Sequence, residues 1–329
     1  MSAQPEVRRA AVVANPTKVD MQRLRIAVNS AAAAAGWGET IWLETTIEDP
    51  GHGIAAQAVE AGAAMVLAVG GDGTVRAVSA TLRGSEIPLA LVPQGTGNLL
   101  ARNLRLPLGD LTAAVHIAFA GETRSVDVGV ASVTTEHGEQ EEHAFVVMAG
   151  IGIDADMIAN ADPQLKRRVG WLAYVDSGVR AIPKATRFRI RYRFDDPELH
   201  HAHISSILIG NCGVLPGNIL LFPEARIDDG VLDIAMLQPK TLFGWLDIWR
   251  RVTWENRVLR RFSVGRRIIR LTDAARPTTM TTVQGAGITV DLADPRVFEL
   301  DGDEVSVVRT LRAWVDPGSL FVRVPALAA

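Results

Sequence analysis

The run Val69-Gly70-Gly71-Asp72-Gly73-Thr74 constrains this chain more than any other feature. Before it, Ala64 to Val69 is a short apolar run of the kind that forms a buried parallel strand. After it, Val75 to Leu82 has helical length and an apolar face. A Gly-rich turn between a strand and a helix is where an α/β protein holds phosphate. Its N–H groups are exposed and the helix N-terminus is electropositive. Gly70, Gly71 and Gly73 let the backbone approach a phosphate with no Cβ in the way. Asp72 is out of place as a direct phosphate ligand, because carboxylate and phosphate repel. A Mg²⁺ between them, bound directly or through water, removes the conflict. The run therefore predicts a nucleotide site with a metal. A tight turn with a capping residue is the plainer alternative.

A second element follows some 20 residues on. Ile87 to Val92 reads as the next strand, then come Pro93-Gln94-Gly95-Thr96-Gly97-Asn98 and a short helix, Leu99 to Asn103. Two strands ending in glycine, Thr and Asn build one crevice at the carboxyl edge of a sheet. A third strand, Arg9 to Ala14, ends in Asn15-Pro16-Thr17-Lys18 and flanks the same crevice.

Residues 1 to about 131 alternate strand and helix, with helices over 21–36 and 53–62 and a strand over Glu39–Leu43. This is the pattern of a doubly wound α/β sheet. The charged piece Thr134 to His143 reads as a hairpin loop. Beyond it the chain turns β-rich, with strands expected over Ala144–Ala149, Thr186–Phe194, Ile204–Ile209, Val231–Leu237, Arg267–Leu271, Ile288–Asp291 and Val305–Arg309. Helices are expected near 163–182 and 240–260. A length of 329 residues suffices for two domains. Hydrophobic residues at 48% and charged ones at 22% exclude a disordered chain. The net charge of −3 gives no basic field for nucleic acid. Cys212 is the single cysteine, so no internal disulfide forms, which fits a cytoplasmic protein. No run of 18 apolar residues marks a transmembrane helix, and the N-terminal residues do not resemble a signal peptide.

The two Gly loops, GGDGT and PQGTGN, resemble those of the diacylglycerol kinase catalytic domain family, lipid kinases related to sphingosine kinases. The likeness continues through Ser125-Val126-Asp127-Val128-Gly129. It extends to Pro223-Glu224-Ala225-Arg226-Ile227-Asp228-Asp229-Gly230-Val231-Leu232-Asp233, and then to Leu300-Asp301-Gly302-Asp303. These five ordered matches span nearly the whole chain.

The resemblance implies an α/β nucleotide-binding domain over 1–131 and a β-sandwich-like, lipid-binding domain over 132–314, with 315–329 returning to the first. It implies transfer of the γ-phosphoryl of ATP to a lipid hydroxyl, with Mg²⁺. That reaction needs a phosphate cradle, a metal and a group to take the hydroxyl proton. The cradle is Gly70, Gly71, Gly73 and Thr74, with Gly95, Thr96 and Asn98 opposite. Asn15 and Thr46 reach the nucleotide by resemblance only, and Asn15 also reads as a turn cap before Pro16. Asp72 and Asp127 are the candidates for the magnesium–water network, Asp127 also reading as a strand-end carboxylate. Asp303 is the candidate general base, accepting the proton as the O–P bond forms. Glu304 is its neighbour, and adjacent residues in a strand face opposite sides. Asp301-Gly302 alone reads as a hairpin turn. The resemblance further implies a structural cation held by the Arg226 and Val231 carbonyls and the Asp229 side chain.

The chain departs from the family pattern in places. Thr17-Lys18 replaces a Gly after the Asn-Pro pair, Arg76-Ala77 replaces Asn-Glu, and Leu99 stands where many members carry Asp. The last change removes a carboxylate from the metal network. Lys166-Arg167-Arg168-Val169-Gly170-Trp171 opens the expected 163–182 helix, with charge beside an aromatic. In the later helix, Trp245, Trp249 and Trp254 lie among Arg250, Arg251, Arg257, Arg260 and Arg261. This mixture fits peripheral docking on the inner face of an anionic membrane, or a core-packed helix with a basic rim. Three readings stand: a lipid kinase for diacylglycerol or a related lipid, a NAD kinase-like enzyme, and a non-catalytic binding protein. The DG-x-LD and DGD segments favour the first. A homo-oligomer is neither required nor excluded.

Overall fold

The computed structural model describes residues 7–152, 187–195, 198–215, 219–239, 244, 247–248, 250 and 279–326. The chain divides into two compact units, Met1–Val128 with Pro317–Ala329, and Gly129–Asp316.

The first unit is built on parallel strands β1 (Ala10–Ala14), β2 (Ile41–Glu44), β3 (Met65–Gly70) and β4 (Leu89–Pro93). Helices α1 (Met21–Ala34), α2 (His52–Glu60), α3 (Asp72–Leu82), α4 (Leu99–Asn103) and α5 (Leu111–Ala120) connect or follow them. β1, β3 and β4 are buried along their whole length, so they read as continuous apolar runs. The strand order is β4-β3-β1-β2. Connectivity therefore reverses between β1 and β3, and ligands of such sheets bind outside the strand ends at this switch point. Register aligns Ala14 with both Glu44 and Val69, and Gly70 with Pro93, which brings the four carboxyl ends to one edge.

One face of this sheet is covered by α1 and α5. Leu24, Val28 and Ala32 recur every four residues on α1 and bury against Val12, Leu67 and Val92. Each fully buried aliphatic side chain of this size contributes roughly 1.5–3 kcal/mol. The Asp20 carboxylate starts α1 by accepting from Gln22 and Arg23 N–H, and Asp110 starts α5 by accepting from Ala113 N–H.

The second unit is antiparallel. Its strands are β5 (Glu122–Thr135, which begins in the first unit), β6 (Gln140–Phe145), β7 (Met148–Ile151), β8 (Phe188–Arg193), β9 (His200–Ile204), β10 (Ser206–Gly210), β11 (Val214–Leu215), β12 (Ile219–Leu220), β13 (Leu232–Leu237), β14 (Met280–Gly285), β15 (Gly287–Leu300) and β16 (Asp303–Val324). The order is β14-β13-β10-β7-β15-β16, with β8 and β9 added beside β15 and β5 and β6 beside β16. The core gathers Phe145, Ile151, Ile190, Ile207 and Phe298. Gly129 is required here: a Cβ would lie 2.2 Å from the Phe145 ring. The last residues of β16 belong to the first unit, where Val322 pairs in parallel with Leu89.

The fold class matches the expectation, and the element boundaries differ instructively. α3 begins at Asp72 rather than Val75, so the Asp-Gly-Thr of the first motif is a helical turn and not the loop before it. α5, β9, β11, β12 and β14 were not anticipated, and the expected hairpin loop 134–143 is largely strand, since β5 runs to Thr135 and β6 begins at Gln140. The strand expected over Ala144–Ala149 is two strands, because Val146 and Val147 N–H donate to the Asp301 carboxylate instead of a neighbouring strand. The expected helix 163–182 and strand 267–271 lie outside the described residues. Of the expected 240–260 helix, Gly244, Asp247, Ile248 and Arg250 are described and helical. Trp245, Trp249, Trp254, Arg251, Arg257, Arg260 and Arg261 lie outside the described residues. Among the described residues, no helix is long and apolar enough to cross a membrane.

Candidate functional site

The loops that follow β3 and β4 interlock at the carboxyl edge of the parallel sheet. Gln94 N–H donates to Gly70 C=O at 2.9 Å, and Asn15 N–H donates to Val69 C=O at 2.9 Å. The loops after β1 and β4 are therefore both anchored on the end of β3. Gly71 caps α3 with extended backbone (φ −94°). An α-helix leaves its first N–H groups without intrahelical partners, and these lie along the motif.

Three of the glycines are sterically obligatory. A Cβ on Gly70 would lie 2.8 Å from Thr74 Oγ1. One on Gly95 would lie 2.7 Å from Gly71 Cα, and one on Gly97 would lie 2.5 Å from Asp72 Oδ2. The two Gly loops thus touch backbone to backbone, and no side chain fits between them.

Asp72 holds this contact closed. Its Oδ2 accepts from Asn98 N–H at 2.9 Å and its Oδ1 from Leu99 N–H at 2.6 Å. The carboxylate therefore lies at the N-terminus of α4. Asn98 adopts the left-handed conformation (φ 49°). It folds the loop onto itself, its Oδ1 accepting from Gly95 N–H at 2.9 Å and its Nδ2 donating to Gly95 C=O at 2.8 Å. Arg102 Nε donates to Gly97 C=O at 2.6 Å.

The other expected residues occupy varied places. Thr74 is buried, with its hydroxyl against Gly70, whereas Thr96 is exposed. Asn15 accepts at Oδ1 from Thr17 N–H and Oγ1, which is the turn-cap arrangement. Thr46 is exposed after β2, its Oγ1 accepting from Asp49 N–H. Asp127 is 3% exposed and accepts from Gly318 N–H at 2.8 Å, which pins the returning end of the chain. Of the departures from the family pattern, Leu99 is buried in the core. Ala77 is buried beneath Gly51, where a Cβ on Gly51 would lie 3.3 Å from its own.

In the second unit, Leu300 pairs with Asp303, leaving Asp301-Gly302 as a two-residue turn. Both have positive φ (50° and 96°), as such a turn requires. Asp301 is 5% exposed and accepts from Val146, Val147 and Met148 N–H at 3.2, 2.9 and 2.9 Å. Asp303 and Glu304 are both exposed. Alternation along the strand would have turned one of them inward, but the register shifts between Phe298 and Glu299, and a bulge re-aims side chains. Glu299, which the sequence did not single out, is buried, and its Oε1 has no hydrogen-bond partner among the described residues. Burial first, then the Glu304 and Asp303 carboxylates, push its pKa up to about 7. It lines a small cleft with Gly150, Asp301 and Gly302.

Asp229 accepts from Val231 N–H at 3.3 Å, Asp228 pairs with Arg226 at 3.5 Å, and Gly230 has φ 73°. The three expected cation ligands, Arg226, Asp229 and Val231, therefore share one irregular turn.

The glycines whose Cβ positions meet the opposing loop are required by loop packing, and the N–H groups at the start of α3 are of the kind that bind phosphate. Among the described residues no cluster of three or more His, Cys, Asp or Glu is placed to hold a metal. Mg²⁺ that accompanies a nucleotide needs only one or two carboxylates beside the phosphate oxygens. A carboxylate at the start of a helix, as Asp72 is in α3, can serve such an ion through water.

Residues 9–131 match the diacylglycerol kinase catalytic domain, and residues 146–324 match the YegS C-terminal NAD kinase beta sandwich-like domain. A probable lipid kinase YegS-like protein of Pseudomonas aeruginosa is 30% identical over 301 residues, covering 90% of this chain and 88% of the relative. A diacylglycerol kinase of Mycobacterium tuberculosis is 31% identical over 190 residues, 58% of this chain and 60% of the relative. The crystal structure of a diacylglycerol kinase from Bacillus anthracis superposes with a TM-score of 0.71 at 19% identity, covering 98% of both chains.

Proposed function

The chain belongs to the YegS-like lipid kinases of the diacylglycerol kinase catalytic domain family, and we propose that it transfers the γ-phosphoryl of ATP to the hydroxyl of diacylglycerol or a related lipid. The observation that carries this reading is the pair of interlocked Gly loops after β3 and β4 at the carboxyl edge of the parallel sheet, closed by Asp72.

The residues have distinct parts in the proposed reaction. Backbone N–H groups of Gly71, Asp72, Gly73 and Thr74 bind phosphate oxygens at the start of α3, where the helix dipole favours negative charge. Gly95, Thr96 and Asn98 form the facing wall, and Asn15 and Thr46 flank the nucleotide. Asp72 and Asp127 are assigned to the water network of a Mg²⁺, which when bound would neutralise charge developing on the phosphates. Asp303 accepts the proton of the lipid hydroxyl as the new O–P bond forms. The turn bearing Arg226, Asp229 and Val231 holds a structural cation. An enzyme with this substrate works at the membrane surface, so peripheral docking belongs to the same proposal.

An acceptor panel tests it. γ-labelled ATP is offered with diacylglycerol, monoacylglycerol, ceramide, sphingosine and phosphatidylglycerol in mixed micelles, and separately with NAD. Label in phosphatidic acid or another lipid phosphate is the expected result. Label only in NAD, or ATP binding with no transfer, contradicts the proposal.

A further inference from the structure

The solvent face of the sheet in the second unit carries a row of cations that the proposed reaction does not use. β8 alternates: Phe188 and Ile190 are buried while Arg189, Arg191 and Arg193 are exposed on the other side. His201 and His203 are the exposed residues of β9. The register sets Arg189 opposite His203 and Arg191 opposite His201. On the other flank, β15 sets Asp291 opposite Arg191 and Thr289 opposite Arg193. Arg312 of β16 in turn lies opposite Thr289. Directly opposed residues of an antiparallel pair share a face. Four guanidinium groups and two imidazoles are therefore presented on one surface.

Little charge on that surface answers them. Asp291 pairs with Arg191 at 3.5 Å, and the two side chains remain 35% and 60% exposed. Arg189, Arg193, His201, His203 and Arg312 make no ion pair among the described residues. Asp195, two residues after Arg193, reaches back to the start of β15, its Oδ1 lying 3.4 Å from where a Cβ on Gly287 would be, and so caps one end of the row, while Glu198 sits at the β8–β9 turn. A groove of about 720 Å³, lined by Arg189, Arg191, His201, His203 and Asp291, runs along the face. The guanidinium groups of Arg189, Arg191 and Arg193, spaced two apart along one strand, repel one another unless something negative covers them. Guanidinium groups are suited to phosphate oxygens, which they bind through paired N–H donors. Trp314, whose ring lies under the Arg312 guanidinium at 5.3 Å, adds an aromatic at the edge of the row.

We propose that this β9–β8–β15–β16 face docks the enzyme on the anionic phospholipid headgroups of a membrane. The choice of occupant rests on the lipid kinase reading, since the substrate of such an enzyme resides in a bilayer. A broad sheet face with spaced cations matches a planar array of phosphates, and clusters of basic residues at such surfaces supply the binding free energy.

Co-sedimentation of the full chain with vesicles tests this. One set is phosphatidylcholine alone, and the other contains one-third phosphatidylglycerol. Wild type is expected to bind the anionic vesicles at least tenfold more tightly and to lose this preference at high salt. Arg189→Gln/Arg193→Gln is expected to weaken anionic binding by about 10- to 30-fold with an unchanged melting temperature. Arg23→Glu/Arg25→Glu, which alters exposed charges on α1, is the control. Equal binding of both vesicle types by wild type, or wild-type binding by the β8 variant, overturns the proposal. Equal losses in the β8 and α1 variants overturn it too. Label transfer to short-chain, freely dissolved diacylglycerol is read in parallel. Its survival in the β8 variant separates failure of docking from failure of the kinase reading.

Discussion

Asp72 Oδ1 accepts the backbone N–H of Leu99 at 2.6 Å, a bond that ties the start of α3 to the start of α4 across 27 residues. The second oxygen does the same for Asn98. An ionised acceptor makes such bonds shorter and stronger than a neutral one. The side chain that looked like a metal ligand within one loop is also the clasp between two loops. In the proposed function, nucleotide binding and loop architecture are coupled at this single residue.

The clasp has a measurable worth. Asp72→Ala removes two hydrogen bonds to a charged acceptor and is expected to destabilise the protein by about 2–4 kcal/mol. Asp72→Asn keeps one acceptor oxygen and is expected to lose less. Urea unfolding of the three proteins checks this, and a wild-type midpoint for Asp72→Ala would contradict the clasp.

Gly95 is tested by a single methyl group. In Gly95→Ala the new Cβ would sit 2.7 Å from Gly71 Cα, so the loops must separate. Nucleotide affinity, followed calorimetrically with a non-hydrolysable ATP analogue, is expected to fall at least tenfold. Unchanged affinity would show that the cradle does not depend on this contact.

Asp301 and Asp303 are two residues apart and should behave oppositely. Asp301 is buried and accepts three backbone N–H groups. Asp301→Ala leaves those donors unpaired and is expected to cost about 3 kcal/mol or more. Asp303 is exposed, so Asp303→Asn should stay within about 0.5 kcal/mol of wild type. Its turnover, by contrast, should vanish. Equal destabilisation of the two variants would remove the distinction.

Glu299 imposes a pH dependence on stability. Its pKa rises from 4.5 to about 7 on folding, so the native state binds this proton more tightly than the unfolded chain. Below pH 4.5 the group is neutral in both states and has no effect. Between 4.5 and 7 the unfolded chain ionises first and stability falls, by on the order of 3 kcal/mol in total. Above 7 the loss is complete. Glu299→Gln is expected to abolish this slope and to be the more stable protein at pH 8. Parallel stability curves for the two proteins from pH 4 to 8 would refute this.

Much of the first unit was legible because its signals are local. Apolar runs followed by glycine locate β3 and β4, but the glycines read as room for phosphate, whereas the structure packs Gly95 against Gly71. α5 also had a local signal that went unread, Asp110 before an apolar run. The partners of Asp72 were hidden, since a clasp onto Asn98 and Leu99 leaves no mark on nearby sequence. Asp301 shows the same limit: its donors lie more than 150 residues away, and Asp-Gly shows only the turn. Glu299 reads as an ordinary surface carboxylate of an alternating strand. Only the register shift and the packing around Gly150 reveal that it is buried. The cationic face required the β8–β9 and β8–β15 registers, which no single strand encodes.

The most direct test of the central claim is label transfer from γ-labelled ATP to diacylglycerol in mixed micelles with Mg²⁺, by wild type and Asp303→Asn, alongside ATP binding by both. Labelled phosphatidic acid from wild type alone, with equal ATP binding, is the expected result. Equal transfer by the variant would contradict Asp303 as the base. No lipid labelled by a wild type that binds ATP would contradict the proposed reaction.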